Sequence, residues 1–121
     1  AALQSLAAMS SGRRSWAVLG EMREIGDTSV EQHLRVGQLA AELRIDRVVV
    51  VGEGARPIFA GAEPLLGQNA RWVPDAATAI ELLEAELGPN DIVLVKASRA
   101  IALERVANAL VQQVPGKDSD L

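Results

Sequence analysis

The run Lys96-Ala97-Ser98-Arg99 brings two cations and a hydroxyl together where an apolar stretch stops and a helical pattern begins. The free N–H groups of a helix start carry partial positive charge. With a lysine and a hydroxyl beside them they make a ready site for a carboxylate or a phosphate. Ser98 also fits a plain N-cap, and both roles can hold at once. Lys96 reads as a charge at the buried end of an apolar strand, which needs a partner, internal or bound. Arg99 is a weaker candidate for charge stabilisation. Glu104 and Arg105 read as surface residues of the last helix.

A second candidate is the segment Gly20-Glu21-Met22-Arg23-Glu24-Ile25-Gly26-Asp27-Thr28. Connections between a strand and a helix usually take about 2–6 residues, and this one is longer. A solvated loop with glycines in tight turns is the plain reading. Its length and its place after a strand favour a binding loop. His33 stands one turn into the next helix, on the face shared by Val36 and Ala40 and at the end nearest the loop. It is read either as a half-buried histidine bonded to backbone or as a ligand contact.

Other chemistries are poorly supported. Gly52-Glu53-Gly54-Ala55-Arg56-Pro57 begins like a dinucleotide fingerprint, but Pro57 takes the place of the third glycine, and Gly61 comes too late. No G-x-x-x-x-G-K-[ST] loop occurs. Ser98 has no histidine partner nearby and no G-x-S-x-G elbow, which argues against a hydrolase acting alone. With one histidine and no cysteine, the chain cannot build a multi-histidine or thiolate metal site.

The elements that must position these residues alternate. Apolar runs at Trp16–Leu19, Arg47–Val51, Arg71–Val73 and Asp91–Val95 read as buried parallel strands. Between them, Val36, Leu39, Ala40 and Leu43 recur at helical spacing from Glu31 to Leu43, behind a Thr28/Glu31 capping pair. Pro57 suits the start of a short helix over Ile58–Ala62. Asp75 caps a helix striped by Ala76, Ile80, Leu83 and Leu87 and stopped at Gly88-Pro89. Leu103, Val106, Ala107, Leu110, Val111 and Val114 form a final stripe, and Lys117–Leu121 reads as a flexible tail. This alternation predicts a three-layer α/β/α Rossmann-like domain with a mainly parallel sheet. Its ligands are expected beyond the carboxyl ends of the strands, where Gly20 and Lys96 stand.

Composition narrows the class. The chain has 121 residues, of which 49% are apolar and 2% aromatic, so aliphatic side chains must pack one core. Net charge is −4 with scattered basic residues, which argues against nucleic-acid binding; Arg13-Arg14 reads as solvated loop. No stretch nears the roughly 18–20 apolar residues of a membrane span, and no signal-peptide pattern opens the chain. The lack of cysteine fits a reducing, cytoplasmic setting. The start at Ala1 has no initiator Met and reads as a helix already under way, so the natural chain is expected to extend upstream.

Two of these strings carry a resemblance. Ala17-Val18-Leu19-Gly20-Glu21-Met22-Arg23-Glu24-Ile25-Gly26-Asp27, followed by His33 and Val36-Gly37, resembles the C-terminal domain of the MurF branch of the Mur ligases. Val93-Leu94-Val95-Lys96-Ala97-Ser98-Arg99, followed by Leu103-Glu104-Arg105-Val106, resembles that domain's second signature. Ala97 replaces a more usual glycine and Ala100-Ile101 a Gly-Met pair, while Lys, Ser and Arg remain. Such ligases add D-alanyl-D-alanine to UDP-N-acetylmuramoyl-tripeptide in peptidoglycan synthesis, and so serve cell shape and division.

The resemblance implies ATP and Mg²⁺ acting in other domains. They activate the tripeptide carboxylate as an acyl phosphate, which the dipeptide amine then attacks. It implies a sheet of six strands, with the strand read fourth beside the strand read first. Two leading strands and an Asn-Pro segment would lie upstream. Residues 1–114 would be an N-terminally incomplete peptide-binding domain and 115–121 a tail. Substrate contacts would come from Lys96, Ser98, Arg99, His33, Gly20, Glu21 and Met22, with no catalytic residue and no metal ligand in this chain. The chain alone is expected to be inactive and to bind no cofactor. The alternatives are a Mur ligase for another amino acid, or a non-catalytic module such as a receiver domain. A receiver would need an acidic cluster after its first strand and an Asp after a central one; Gly52-Glu53 stands at the latter position.

Overall fold

A computed structural model describes residues 2–9, 12–21 and 29–96, except the side chains of Ala2 and Ser29. The elements run α1 (Ala2–Met9), β1 (Ser15–Leu19), α2 (Ser29–Glu42), β2 (Arg47–Val51), α3 (Arg56–Leu66), β3 (Ala70–Val73), α4 (Ala76–Glu86) and β4 (Ile92–Lys96). The expected helix over Leu103–Val114, the tail and the Thr28 cap lie outside the described residues.

Four parallel strands form one sheet in the order β3-β2-β1-β4. Strand alternation sends Ala17, Leu19, Val48 and Val50 to one face, where Leu3, Leu6, Ala40, Ile58 and Ala62 from α1, α2 and α3 meet them. Trp16, Val18, Val49 and Val51 point to the other face, against Ala76, Ala79 and Leu83 of α4. Helices therefore flank both faces, as the α/β expectation requires. All five residues of β1 are buried. Each large aliphatic side chain there contributes about 1.5–3 kcal/mol.

The path of the chain sets the functional end. From β1 it steps outward through β2 to β3, with α2 and α3 on one face. From β3 it returns beneath the other face through α4 and lands beside β1 as β4. The direction reverses between β1 and β4, which makes that junction the topological switch point.

Three features go beyond the sequence reading. First, α3 is longer than Ile58–Ala62 and runs through Pro64 to Leu66. Pro64 lacks a donor and gives up one i→i−4 bond, but the helix ends two residues later, so few bonds beyond it depend on that turn. Second, the buried face of α2 is built on His33, Gly37, Ala40 and Ala41, while Val36, Leu39 and Leu43 are only half-buried. The cause is a close crossing with α3. A Cβ on Gly37 would collide with the Ile58 carbonyl oxygen, and one on Gly61 with that of Leu34. The two backbones touch at these glycines.

Third, α2 ends without a glycine. Ile45 N–H donates to Ala40 O (3.1 Å) and Arg44 N–H to Ala41 O (3.0 Å), the paired bonds of a Schellman motif. Arg44 takes the left-handed position, with φ 60°. Asp75 caps α4 as expected, its Oδ1 accepting from the Thr78 N–H at 2.9 Å.

Polar clamps tie the amino ends of the strands. Ser15, itself buried, donates its N–H (2.8 Å) and hydroxyl (3.2 Å) to Asp46 Oδ2, and its Oγ accepts from the Asp46 N–H (2.9 Å). Asp91 Oδ2 accepts from Arg14, Trp16 Nε1 and Gly88 N–H, each reaching it at 2.8 Å.

Candidate functional site

At the carboxyl end of the sheet, β1 and β4 run in register, Leu19 opposite Lys96. The Gly20 N–H donates to the Lys96 carbonyl at 3.0 Å, which adds one rung beyond β1. Gly20 is buried, Glu21 is exposed, and Lys96 is exposed. Gly20 and Glu21, just after the first strand, and Lys96, the last residue of the fourth, therefore share one edge.

The exposure of Lys96 corrects one expectation. The end of β4 is not a buried place for charge, because β4 is half-buried along its length and open at Lys96. Solvent can carry the ammonium, so burial does not force a partner on it. Its position beside Gly20 is what remains of the argument.

His33 is fully buried. The half-buried reading is therefore corrected. It is not without a partner. It lies on the buried α2 face that carries Gly37 and Ala40. Met22, Ser98 and Arg99 lie outside the described residues.

The turn after β2 adjoins the same edge and was read in the sequence only as a failed nucleotide motif. Gly52 adopts φ 98°, a conformation open to glycine, and its N–H donates to the Val73 carbonyl at 2.9 Å. Its own carbonyl accepts from Trp72 Nε1 at 2.8 Å. The Arg56 guanidinium stacks over the Trp72 ring, 4.2 Å from its centre, and also reaches Glu53 at 2.9 Å. The exposed ion pair adds little, but the indole bond and the stacking fix the turn to β3.

Glu21 lies against this turn. A Cβ on Gly54 would stand 2.5 Å from Glu21 Cδ and 2.6 Å from its Oε1. The carboxylate thus occupies the space that any side chain at position 54 would need. The signal in the sequence was the second glycine of Gly52-Glu53-Gly54, whose purpose no local pattern reveals.

A cleft of about 490 Å³ opens at the other end of the domain, lined by Ala41, Arg44, Ile45, Leu65 and Asn69 among others. It lies by the strand starts, at the opposite end of the sheet from Gly20 and Lys96. In open parallel sheets ligands bind at the carboxyl ends, so its size does not make it the site. Among the described residues no cluster of three or more His, Cys, Asp or Glu side chains could hold a metal ion. None of the helices described is long and apolar enough to cross a membrane.

Comparison with known proteins agrees with this geometry. The family model for the Mur ligase, glutamate ligase domain, matches residues 1–99. The UDP-N-acetylmuramoyl-tripeptide--D-alanyl-D-alanine ligase of Mycobacterium leprae is 49% identical over 107 residues, covering 84% of this chain and 20% of that protein. The protein of that name from Mycobacterium tuberculosis is 45% identical over 115 residues, covering 82% of this chain and 22% of its own. The Escherichia coli protein is 37% identical over 110 residues, 91% of this chain and 23% of its own. The crystal structure of MurF from Acinetobacter baumannii superposes with a TM-score of 0.70 at 25% identity, over 92% of this chain and 25% of that one. The chain spans about a fifth of the length of the curated relatives it matches. With its family motifs at the ends of β1 and β4, its parallel sheet and these matches, the chain belongs to the Mur ligase family, as a glutamate ligase domain of the kind found in MurF.

Proposed function

We propose that this chain is the dipeptide-presenting domain of a ligase that joins D-alanyl-D-alanine to UDP-N-acetylmuramoyl-tripeptide in peptidoglycan synthesis. The observation that carries the reading is the register of Leu19 with Lys96, which supports a single crevice bounded by the Gly20 loop and the Lys96 segment. The names of the relatives supply the substrate class.

In this reading the Lys96 ammonium and the Ser98 hydroxyl hold the carboxylate of the incoming dipeptide. A cation paired with a carboxylate through a hydrogen bond is worth about 1.5–3 kcal/mol. Arg99 adds positive charge at the same helix start, and Gly20, Glu21 and Met22 form the facing wall. His33, buried beneath, positions that wall. The domain's contribution is orientation: it fixes the dipeptide so that its amine meets the activated tripeptide carbonyl.

Among the described residues none forms a site that fits ATP or Mg²⁺. The sequence has no phosphate loop of the G-x-x-x-x-G-K-[ST] kind, and the described residues offer no metal cluster. The nucleotide, its metal and the UDP-sugar tripeptide are assigned to other domains of the ligase, in the cytoplasm. The chain by itself should not ligate.

The test is Lys96→Ala in the full-length ligase. Its kcat/KM for D-alanyl-D-alanine should fall about 10- to 100-fold while the KM for ATP stays within about twofold. Unchanged dipeptide kinetics would remove Lys96 from the site. Ligation by the isolated 121-residue chain, supplied with ATP, acceptor and dipeptide, would overturn the division of labour.

A further inference from the structure

We propose that Gly54 is a positioning residue for the dipeptide site, acting as the seat on which the Glu21 carboxylate rests. The inference builds on the proposed function for its substrate, but the contact itself stands on geometry alone.

Glu21 follows directly on the last rung between β1 and β4, at the edge of the proposed crevice. Its carboxylate lies over Gly54, close enough that a Cβ there would meet both oxygens, at 2.6 and 2.9 Å. Such distances are below van der Waals contact, so a side chain at 54 must push the carboxylate away. The seat is fixed in turn. Gly52, two residues before it, is tied to β3 through the Val73 carbonyl and the Trp72 indole. Arg56, two residues after it, is stacked on Trp72. The chain of contacts runs from β3 through Trp72 and the Gly52–Arg56 turn to Glu21, and so to the wall of the crevice.

Gly54 differs in kind from Gly37 and Gly61. Those two face backbone, which cannot yield. Gly54 faces the end of a flexible side chain, so Gly54→Ala should fold normally while moving the carboxylate. A displacement near 1 Å at a positioned wall can cost up to about a hundredfold in reactivity. For a wall one step from the substrate, a change of about five- to tenfold is expected.

The experiment uses the full-length ligase. Gly54→Ala should raise the KM for D-alanyl-D-alanine about five- to tenfold, with kcat and the ATP KM within about twofold and the melting temperature unchanged. Glu21→Ala should do the same, and the double variant should be no worse than either alone, since both remove one contact. Hydrogen exchange at the Gly20 and Glu21 amides should quicken in Gly54→Ala while that in α4 does not, a readout that needs no substrate. Unaltered exchange, or fully additive effects in the double variant, would overturn the seat. If the unmodified ligase rejects D-alanyl-D-alanine but the exchange change is present, the functional reading fails and the seat stands.

Discussion

Trp16 and Asp91 are joined by a 2.8 Å hydrogen bond from the indole Nε1 to the carboxylate Oδ2, although 75 residues separate them in the chain. The bond ties the buried start of β1 to the turn that launches β4. The same oxygen takes the Arg14 guanidinium at 2.8 Å and the Gly88 N–H at 2.8 Å. The Arg14 guanidinium also sits 5.4 Å from the centre of the Trp16 ring. One carboxylate thus aligns the two strands between which the proposed site opens.

Asp91→Asn tests that arrangement. The shape is kept, but the charge that satisfies these donors is lost. Stability of the domain should drop by about 2 kcal/mol, read as a lower denaturant midpoint with an unchanged slope. A loss below about 0.5 kcal/mol would show that Asp91 behaves as an ordinary surface ion-pair partner.

The same group predicts a pH dependence. Burial pushes the Asp91 carboxyl upward, but the hydrogen bonds from Arg14, Gly88 and Trp16 outweigh it and hold the group below its ordinary 3.8. Because the folded value is the lower one, the stabilisation is fully present above the unfolded value and is lost as pH falls through the folded one. Unfolding experiments should show stability falling below about pH 4. In Asp91→Asn this part of the acid loss should vanish. An unchanged acid limb would assign it to other carboxylates.

The crossing of α2 and α3 gives a third expectation. Gly37→Ala and Gly61→Ala each place a methyl group against a carbonyl of the facing helix. Each should cost about 1–3 kcal/mol or more, since overpacked backbone must separate. Thermal unfolding would show this as a drop of several degrees. A melting point within a degree of the parent would mean that the helices can slide apart cheaply.

Arg44 offers a gain. It occupies the left-handed position at the end of α2, with φ 60°, where glycine carries no Cβ penalty. Arg44→Gly should raise stability by about 0.5–1 kcal/mol, because relief in the folded state exceeds the extra freedom gained by the unfolded chain. A destabilised variant, measured by denaturant titration, would show that the long arginine stem contributes more through packing than its backbone costs.

The strands and most helix limits were legible because period and punctuation announce them. Val48–Val51 before Gly52, and Asp75 before Ala76, state their own roles. The neighbouring of β1 and β4 came from family resemblance rather than from periodicity, since parallel pairing leaves no local trace. The inner face of α2 was legible in part: Ala40 is buried and Val36, Leu39 and Leu43 pack against the core, but large apolar residues signal burial more loudly than the glycine among them. Only a contact distant in sequence, with Ile58 and Leu34 as partners, shows why Gly37 and Gly61 must be small. Of the proposed site, the placing of Gly20 and Lys96 at strand ends was legible, because each closes an apolar run. The burial of His33, the exposure of Lys96 and the meeting of Glu21 with Gly54 depend on three-dimensional neighbours, and no spacing rule encodes them.

The order β3-β2-β1-β4 also has a consequence for how the domain comes into being. During synthesis β1, β2 and β3 emerge first and can pair in turn. Until Ile92–Lys96 follows, one side of β1 has no hydrogen-bonding neighbour, and its five buried residues form the rim of a half-built sheet. Closing that rim joins segments from opposite ends of the described chain, a pairing of high contact order that forms slowly. A ribosome stalled before residue 92 would hold an open, sticky β1 edge, the kind that recruits chaperones or aggregates. The proposed dipeptide crevice is thus among the last features to form, and it appears in the same step that removes the hazard.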